Sequence, residues 1–543
     1  MSYSLPRLHR SFLCGLLLSS GVMLHACETD DEEQSPAPVV KSLSRSIGPV
    51  DAAVEIRGSG FSSDRFASIV AFNGTVAPVL LATPEALLVR VPAGATSGPV
   101  TVRVSGHVVE GPHFEVGVEA MSIGSSSFDA GYAVVADAEK NIYIGGTFQG
   151  SVNFGTQTLV ATHEDGFIAK YDAAGNFLWV KQLEGSNYER VRDLAIDNQE
   201  NIYVAGTYSS DHAMLEPFQF GTEIYSVHGF IARLSKDGTV EWANALEDSE
   251  GNYVMSVDVD DSNGVFVTGT FDNTLSIGTT TLTSNGSADV MVIHYSSSGD
   301  LQWATSFGGT GGDVPTSIAV GKNGLFLTGI FNPTFQLPGG PPITPVGSVD
   351  AFVVKLSLAG EVGWATLIGS AGEDQGLSVA VDANDDCITG GFFEGTAYIG
   401  PTVLQGAGNQ DLFLTKLSST DGSVLWARSA GNTGYDAINS IAVGNSGAIY
   451  ITGQFEKTLT LGSKTVESIG DRDVFVAGYS SAGECEFLQR AGADNNDFGN
   501  GIFVDPGGVL YVTGSFAGET TFGATTVENS GGEGDIFFWK IRP

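Results

Sequence analysis

The stretch IYIGGTF at residues 142–148 returns as IYVAGTY (202–208), VFVTGTF (265–271), LFLTGIF (325–331), CITGGFF (387–393), IYITGQF (449–455) and LYVTGSF (510–516). With Gly146, Gly206, Gly269, Gly329, Gly390, Gly453 and Gly514 as the common glycine, the copies stand 60 to 63 residues apart. A fixed period of that size marks a repeat architecture. β-branched and aromatic residues dominate each copy, as in a buried strand. Three further strands surround it in each unit, as in RDLAID (192–197), GFIAKYD (166–172) and FLWVKQL (177–183), with Asp- and Gly-bearing turns between them. Four strands repeated seven times describe a β-propeller.

The last unit ends GGEGDIFFWKIRP (531–543), which provides a third strand and no fourth. Upstream of the first unit stands GVEAMSIGSSSFDAGYAVVAD (117–137), which aligns with GWATLIGSAGEDQGLSVAVD (363–382). An open last blade leaves unpaired strand edges. Residues 118–123 are therefore expected to complete the last blade and close the ring. Composition agrees: 72 glycines, 42% hydrophobic and only 16% charged residues suit short strands joined by tight turns. The fold class is all-β, an immunoglobulin-like sandwich followed by a seven-bladed β-propeller closed by an N-terminal strand.

The sandwich is residues 38–116. IRGSGF (56–61), VAFNG (70–74), VRVPAG (89–94) and VTVRV (100–104) resemble the IPT/TIG family of immunoglobulin-like domains. That resemblance implies a spacer or interaction module. From 117 to 543 the units resemble the bacterial propeller repeat called SBBP, with its D-x-F-V-x-K followed by W-A, here DAFVVK (350–355) and WA (364–365).

Residues 1–27 read as a lipoprotein signal. A basic start (Arg7, His9, Arg10) precedes an apolar run from Phe12 to Leu24, too short to span a bilayer. Leu24-His25-Ala26-Cys27 resembles the bacterial lipobox, which implies acylation of Cys27. The acidic linker, residues 28–37, opens ETDDEE and resembles the export signal of Bacteroidetes surface lipoproteins. The expected location is the outer membrane, exposed at the cell surface, with the lipid anchor as the membrane partner. Cys387 and Cys485 fall at non-equivalent positions and are expected to be separate thiols.

Residues 117–543 hold 51 acidic and 17 basic residues, a net of −34. Such a surface repels phosphate backbones, so nucleic acid is excluded as a partner. Trp179, Trp242, Trp303, Trp364 and Trp426, with Phe487, recur in the fourth strand and are expected to pack between blades; Glu119 holds that place in the donated strand.

Two acidic series repeat as well. One precedes the third strand: Asp165, Asp289, Asp350, Asp411, Asp473 and Asp535, with His228 in the second unit. The other enters the first strand: Asp129, Glu189, Asp313, Asp374, Asp436 and Asp497, with Asn252 in the third. Both belong to one face of a propeller. They either accept hydrogen bonds from their own loops or form a carboxylate crown able to hold calcium or a cationic ligand. The ligand-binding candidates are the two odd members, His228 and Asn252, with Asp313, Asp374 and Asp436. Variable connections between second and third strands crowd the same face, where specificity is usually written.

Motifs for zincins, serine hydrolases and P-loops do not occur, and STDGSVLW (419–426) has the wrong spacing for a sialidase Asp-box. No catalytic residue, resident metal or cofactor is expected, with calcium the one ion the crown could take. The expectation is non-catalytic binding of a glycan or an envelope protein by the loop-rich face. The alternatives are a carboxylate-based polysaccharide hydrolase or lyase, and a structural or adhesive envelope protein.

Overall fold

The computed structural model describes residues 37–221, 226–247 and 251–543. The leader, Cys27 and all but the last residue of the acidic linker lie outside the described residues. Within them every regular element is a strand.

Residues 39–116 form a four-stranded and a five-stranded sheet that share one core, with Ile56 and Val89 from the first meeting Val70, Val102 and Phe114 from the second. In VTVRV the valines face inward and Arg103 faces solvent, the period-two pattern of a half-buried strand.

Seven four-stranded sheets follow. Blades 1 to 7 are numbered here by their inner strands: Ala130–Ala136, Arg190–Ile196, Asn252–Val259, Gly312–Gly321, Gln375–Val381, Ala437–Val443 and Phe498–Val504. The first six run in sequence order from centre to rim. In the seventh, Asp535–Ile541 pairs outward with Ala120–Ile123, placing Ala120 opposite Trp539. The strand upstream of blade 1 is thus the outer strand of blade 7. Blades 7 and 1 also meet where Asn500 Nδ2 donates to the Gly131 carbonyl at 2.9 Å.

The recurring glycine is required by close approach. A Cβ at Gly146 would lie 2.1 Å from the Ala130 carbonyl oxygen of the inner strand, and Gly514 repeats this against Phe498. In blade 5 the residue in this place is Gly391, 1.9 Å from the Gln375 oxygen, which corrects Gly390.

The connections between second and third strands are more ordered than open loops. In blade 3, Thr274–Ile277 pairs with Thr280–Thr283, and Leu275, Ile277 and Leu282 point into the core. Blades 2, 5, 6 and 7 carry comparable hairpins.

The sandwich docks on the opposite face. Glu115, 1% exposed, meets Lys540 Nζ at 3.4 Å, Arg542 at 3.6 Å and Lys140 at 2.7 Å, the last on the turn joining the first two strands of blade 1. Burial pushes its pKa up, but Lys540 and Lys140 together hold it below the usual range.

Candidate functional site

The repeated tryptophans are used between blades. The indole Nε1 of Trp179, Trp242, Trp303, Trp364 and Trp426 donates to a carbonyl in the third-to-fourth-strand turn of the next blade, at 3.0–3.3 Å. Each ring also covers the glycine of that turn, as Trp242 covers Gly299 (φ 84°). Blade 7 takes its outer strand from residues 120–123 and has no such turn. Blade 6, which faces it, carries Phe487 and needs no acceptor. Glu119 accepts from the Ala524 N–H and Thr525 Oγ1 and pairs with Arg45 of the sandwich.

The carboxylates that enter the inner strands are clamps on the main chain. Asp497 accepts N–H bonds from Ala493 and Ala517, both at 2.9 Å. Asp436 accepts from Asn432 at 3.0 Å and Glu456 at 3.2 Å, and Asp374 from Ser370 at 2.5 Å and Glu394 at 3.3 Å. One donor stands four residues before the acid and the other twenty after it. Asp313 departs from this pattern. It accepts from the Gly309 N–H at 2.6 Å, but the residue twenty on is Pro333, which has no N–H, and Oδ1 has no partner among the described residues. Burial pushes Asp313, Asp374, Asp436 and Asp497 up to about 7, and Asp129 to about 6.

The two acidic series meet at the blade junctions. A Cβ on Gly308 would lie 2.6 Å from Asp289 and 2.8 Å from Asp313. The pairs Asp350–Asp374, Asp411–Asp436, Asp473–Asp497, Asp535–Asp129 and Asp165–Glu189 likewise feel each other's charge. The junction of blades 2 and 3 instead holds His228 and Asn252. The two exceptions to the acidic series therefore share one place, and where one carboxylate is missing its partner is missing too. Asn252 accepts from the Gly229 N–H and donates to the Leu246 carbonyl, both at 2.7 Å. His228 packs against the Tyr208 ring, 5.6 Å away. All five candidates, His228, Asn252, Asp313, Asp374 and Asp436, are at most 4% exposed. Among the described residues no cluster of three or more His, Cys, Asp or Glu is arranged to hold a metal ion. Cys387 and Cys485 are free thiols.

The inner strands enclose a central channel of about 290 Å³. At one level Ser256, Ser317, Ser378 and Ser440 accept the N–H of Ile318, Val379, Ile441 and Ile502 from the next blade, at 3.0–3.3 Å. Blade 2 has Asp193 there, which accepts from Val257 at 3.0 Å and from Ser256 Oγ at 2.6 Å. Asp258 accepts from Val259 at 2.8 Å and Val320 at 2.7 Å. Burial raises these carboxyls to about 6 and 7. Both do for the main chain what serines do elsewhere.

Three residues beyond the entry position, Asn252 in blade 3 and a carboxylate in the others, every inner strand bulges. The extra residues are Tyr132, Arg192, Met255, Thr316, Leu377, Asn439 and Asn500. A bulge re-aims its side chain, and all seven are partly buried near the start of the inner strand, the end joined to the loop-rich face. Their chemistry varies where the surrounding structure repeats. Thr316 Oγ1 donates to Gly376 O at 2.6 Å, Asn439 Nδ2 to Gly499 O at 3.0 Å, and Asn500 to Gly131 O. Tyr132, Arg192 and Met255, on consecutive blades, make no side-chain hydrogen bond among the described residues. No repeated letter marks this ring in the sequence; only the aligned inner strands set it apart, as one varied column between repeated ones.

A wider cleft of about 720 Å³ lies at the rim of the same face between blades 6 and 7, lined by Arg490, Asn495, Glu519 and Trp539. Its arginine is already paired with Asp473 at 3.1 Å.

Residues 38–115 match the IPT/TIG domain family, and residues 178–208 match the beta-propeller repeat family SBBP. The chain thus joins an IPT/TIG domain to a propeller of which one stretch, from the fourth strand of blade 1 to the second strand of blade 2, matches the SBBP repeat. An uncharacterised WD repeat-containing protein of Acanthamoeba polyphaga mimivirus is 23% identical over 506 residues, covering 73% of this chain and 36% of that protein. The regulatory protein FlaEY of Caulobacter vibrioides is 24% identical over 310 residues, covering 52% and 31%. The chain spans about a third of the length of either relative. Among solved structures, an auxiliary nutrient binding protein from Bacteroides thetaiotaomicron is 11% identical with a TM-score of 0.30, covering 93% of this chain and 98% of the other. Sqt1 from Chaetomium thermophilum is 10% identical with a TM-score of 0.37, covering 73% and 82%.

Proposed function

We propose that this union of an IPT/TIG domain with a propeller is a non-catalytic binding protein of the cell surface. It is anchored by acylated Cys27 and engages a glycan through the loop-rich face, with an envelope protein as the second class of partner. The observation that carries this reading is the contrast on that face. Repeated carboxylates are sealed against the main chain, while the bulge column is varied in chemistry and partly open. Rigid scaffolds bind where they vary. The docking of the sandwich on the opposite face supports the reading, because it turns the bulge ring away from the anchored end.

The hydrolase or lyase alternative needs two carboxyls free to meet a sugar, about 5–9 Å apart for glycoside hydrolysis. The carboxyls in single-copy positions, Asp193 and Asp258, are each held by main-chain N–H groups, which argues against it.

The test is retention of the purified protein on a panel of immobilised polysaccharides, with and without calcium, alongside an assay for released sugars. Retention without product supports the proposal. Release of sugar overturns it in favour of the enzyme. Loss of retention on chelation restores a calcium role for the acidic face. Absence of retention on every polysaccharide moves the assignment to a protein partner.

A further inference from the structure

Arg192 and Arg190 stand two residues apart and are treated oppositely. Arg190 is neutralised: its guanidinium pairs through two nitrogens with Glu164, the Nη2 bond at 3.1 Å. Arg192 has no ion pair or hydrogen bond among the described residues, although its Nε is fully buried. Burial pushes its pKa down from the ordinary arginine value, and neighbouring Arg190 adds to the shift. An uncompensated guanidinium costs stability, and nothing in blade architecture requires it, since the other six bulge residues are uncharged. Around it stand Tyr132, Glu164 and Tyr253, all close enough to influence its charge. Tyr253 is 39% exposed and Tyr188, on the loop entering blade 2, is 53% exposed.

Resting on the binding role given above, we infer that Arg192, with Tyr132 and Tyr253, forms the subsite for a carboxylate-bearing sugar, a uronate unit of an acidic polysaccharide. A guanidinium with free donors matches a carboxylate, and tyrosine rings offer flat faces for the C–H side of a pyranose. The surroundings favour a sugar over a peptide. The propeller carries a net of −34, so a run of aspartates or glutamates would be repelled by the rim. One carboxylate set among neutral sugars, as in hyaluronate, suffers less than a carboxylate on every unit, as in polygalacturonate, alginate or poly-glutamate. The site lies on the arc of the bulge ring where Tyr132, Arg192 and Met255 are left unstitched, whereas Thr316, Asn439 and Asn500 are tied to the next blade.

The experiment is affinity electrophoresis of the purified protein and its Arg192→Met variant in polygalacturonate, alginate and hyaluronate. Each polymer is run beside its carboxyl-reduced form, and poly-glutamate is included. Chelator is present throughout, so that calcium cannot bridge an acidic polymer to the acidic face. The expected result is retardation by at least one uronate polymer, abolished by carboxyl reduction and weakened about ten-fold or more in Arg192→Met. The variant's melting midpoint should be equal to or above that of the parent, which separates loss of binding from loss of fold. Equal retardation by the reduced polymer, or by the variant, overturns the subsite while leaving glycan binding intact. Retardation by poly-glutamate alone overturns the sugar in favour of a peptide carboxylate. No retardation by any acidic polymer overturns the inference, and the neutral polysaccharides of the wider panel then decide whether glycan binding falls with it.

Discussion

At the start of each inner strand stand two positions three residues apart, of which the first is repeated in its chemistry and the second is varied. Asp374 is sealed and holds two main-chain N–H groups; Leu377 is half exposed and hydrogen-bonds nothing. Asp129, which holds the N–H groups of Ser125 and Gln149, and Tyr132, which makes no side-chain hydrogen bond among the described residues, repeat the contrast. The first position is kept because every ring junction needs it, and the second is released by the bulge. Repetition within the chain therefore marks structural duty, and variation beside it marks the surface available for binding.

The largest effect comes from breaking the ring that gives both positions meaning. Deleting residues 117–124 removes the outer strand of blade 7, bares the edge of Asp535–Ile541 and strips cover from Trp539, now 1% exposed. Cooperative thermal unfolding should be lost, whereas a chain lacking residues 38–116 should still melt as a unit, only earlier. Calorimetry of the two deletions checks this, and similar losses in both would mean that the sandwich rather than the strand holds the ring shut.

Within an intact ring, the sealed position should be costly and the varied one nearly free. Asp497→Ala leaves the N–H groups of Ala493 and Ala517 buried without acceptors, at about 2–4 kcal/mol. Leu377→Asn should stay within about 0.5 kcal/mol. Thermal midpoints of the two variants measure the difference. An Asp497→Ala protein as stable as its parent would refute the clamp.

The sealed carboxyls also set a pH dependence. Asp313, Asp374, Asp436 and Asp497 are raised to about 7 by burial, against about 3.9 in an unfolded chain. Between those values the native state keeps protons that the unfolded chain has released, so stability falls as pH rises from about 4 to about 7 and then levels. Glu115 has the opposite sign, since its pKa is depressed, and its contribution is lost only under more acid conditions. The melting midpoint should therefore be higher at pH 5 than at pH 8, and a flat profile would show the clamps to be ionised throughout.

Much of this contrast was legible in the sequence. A 60–63-residue period and four strand-like segments per unit lead to blades, and the missing last strand leads to Ala120–Ile123, because unpaired edges are not tolerated. The acidic series was visible, and so were its two exceptions. That His228 and Asn252 share one junction was not, since 24 residues and a hairpin separate them in the chain. The bulge column was hidden for another reason. An extra residue breaks the alternation by which strands are recognised, and at a varied position no repeated letter draws attention to it.

The smallest predicted effect tests the clamp at one atom. Asp313 differs from Asp374 in a single donor, because Pro333 stands where Glu394 would offer its N–H. An asparagine at 313 can accept the Gly309 N–H with its amide oxygen and turn its NH₂ toward the side that has no donor. The same change at 374 sets an NH₂ group against the Glu394 N–H. Asp313→Asn should therefore lie within about 0.5 kcal/mol of the parent, while Asp374→Asn loses about 1–2 kcal/mol. The 313 variant should also weaken the pH dependence, having removed one of the groups raised to about 7. Equal losses in the two variants, measured by melting at pH 8, would mean that the carboxylate's charge rather than its second acceptor oxygen does the holding.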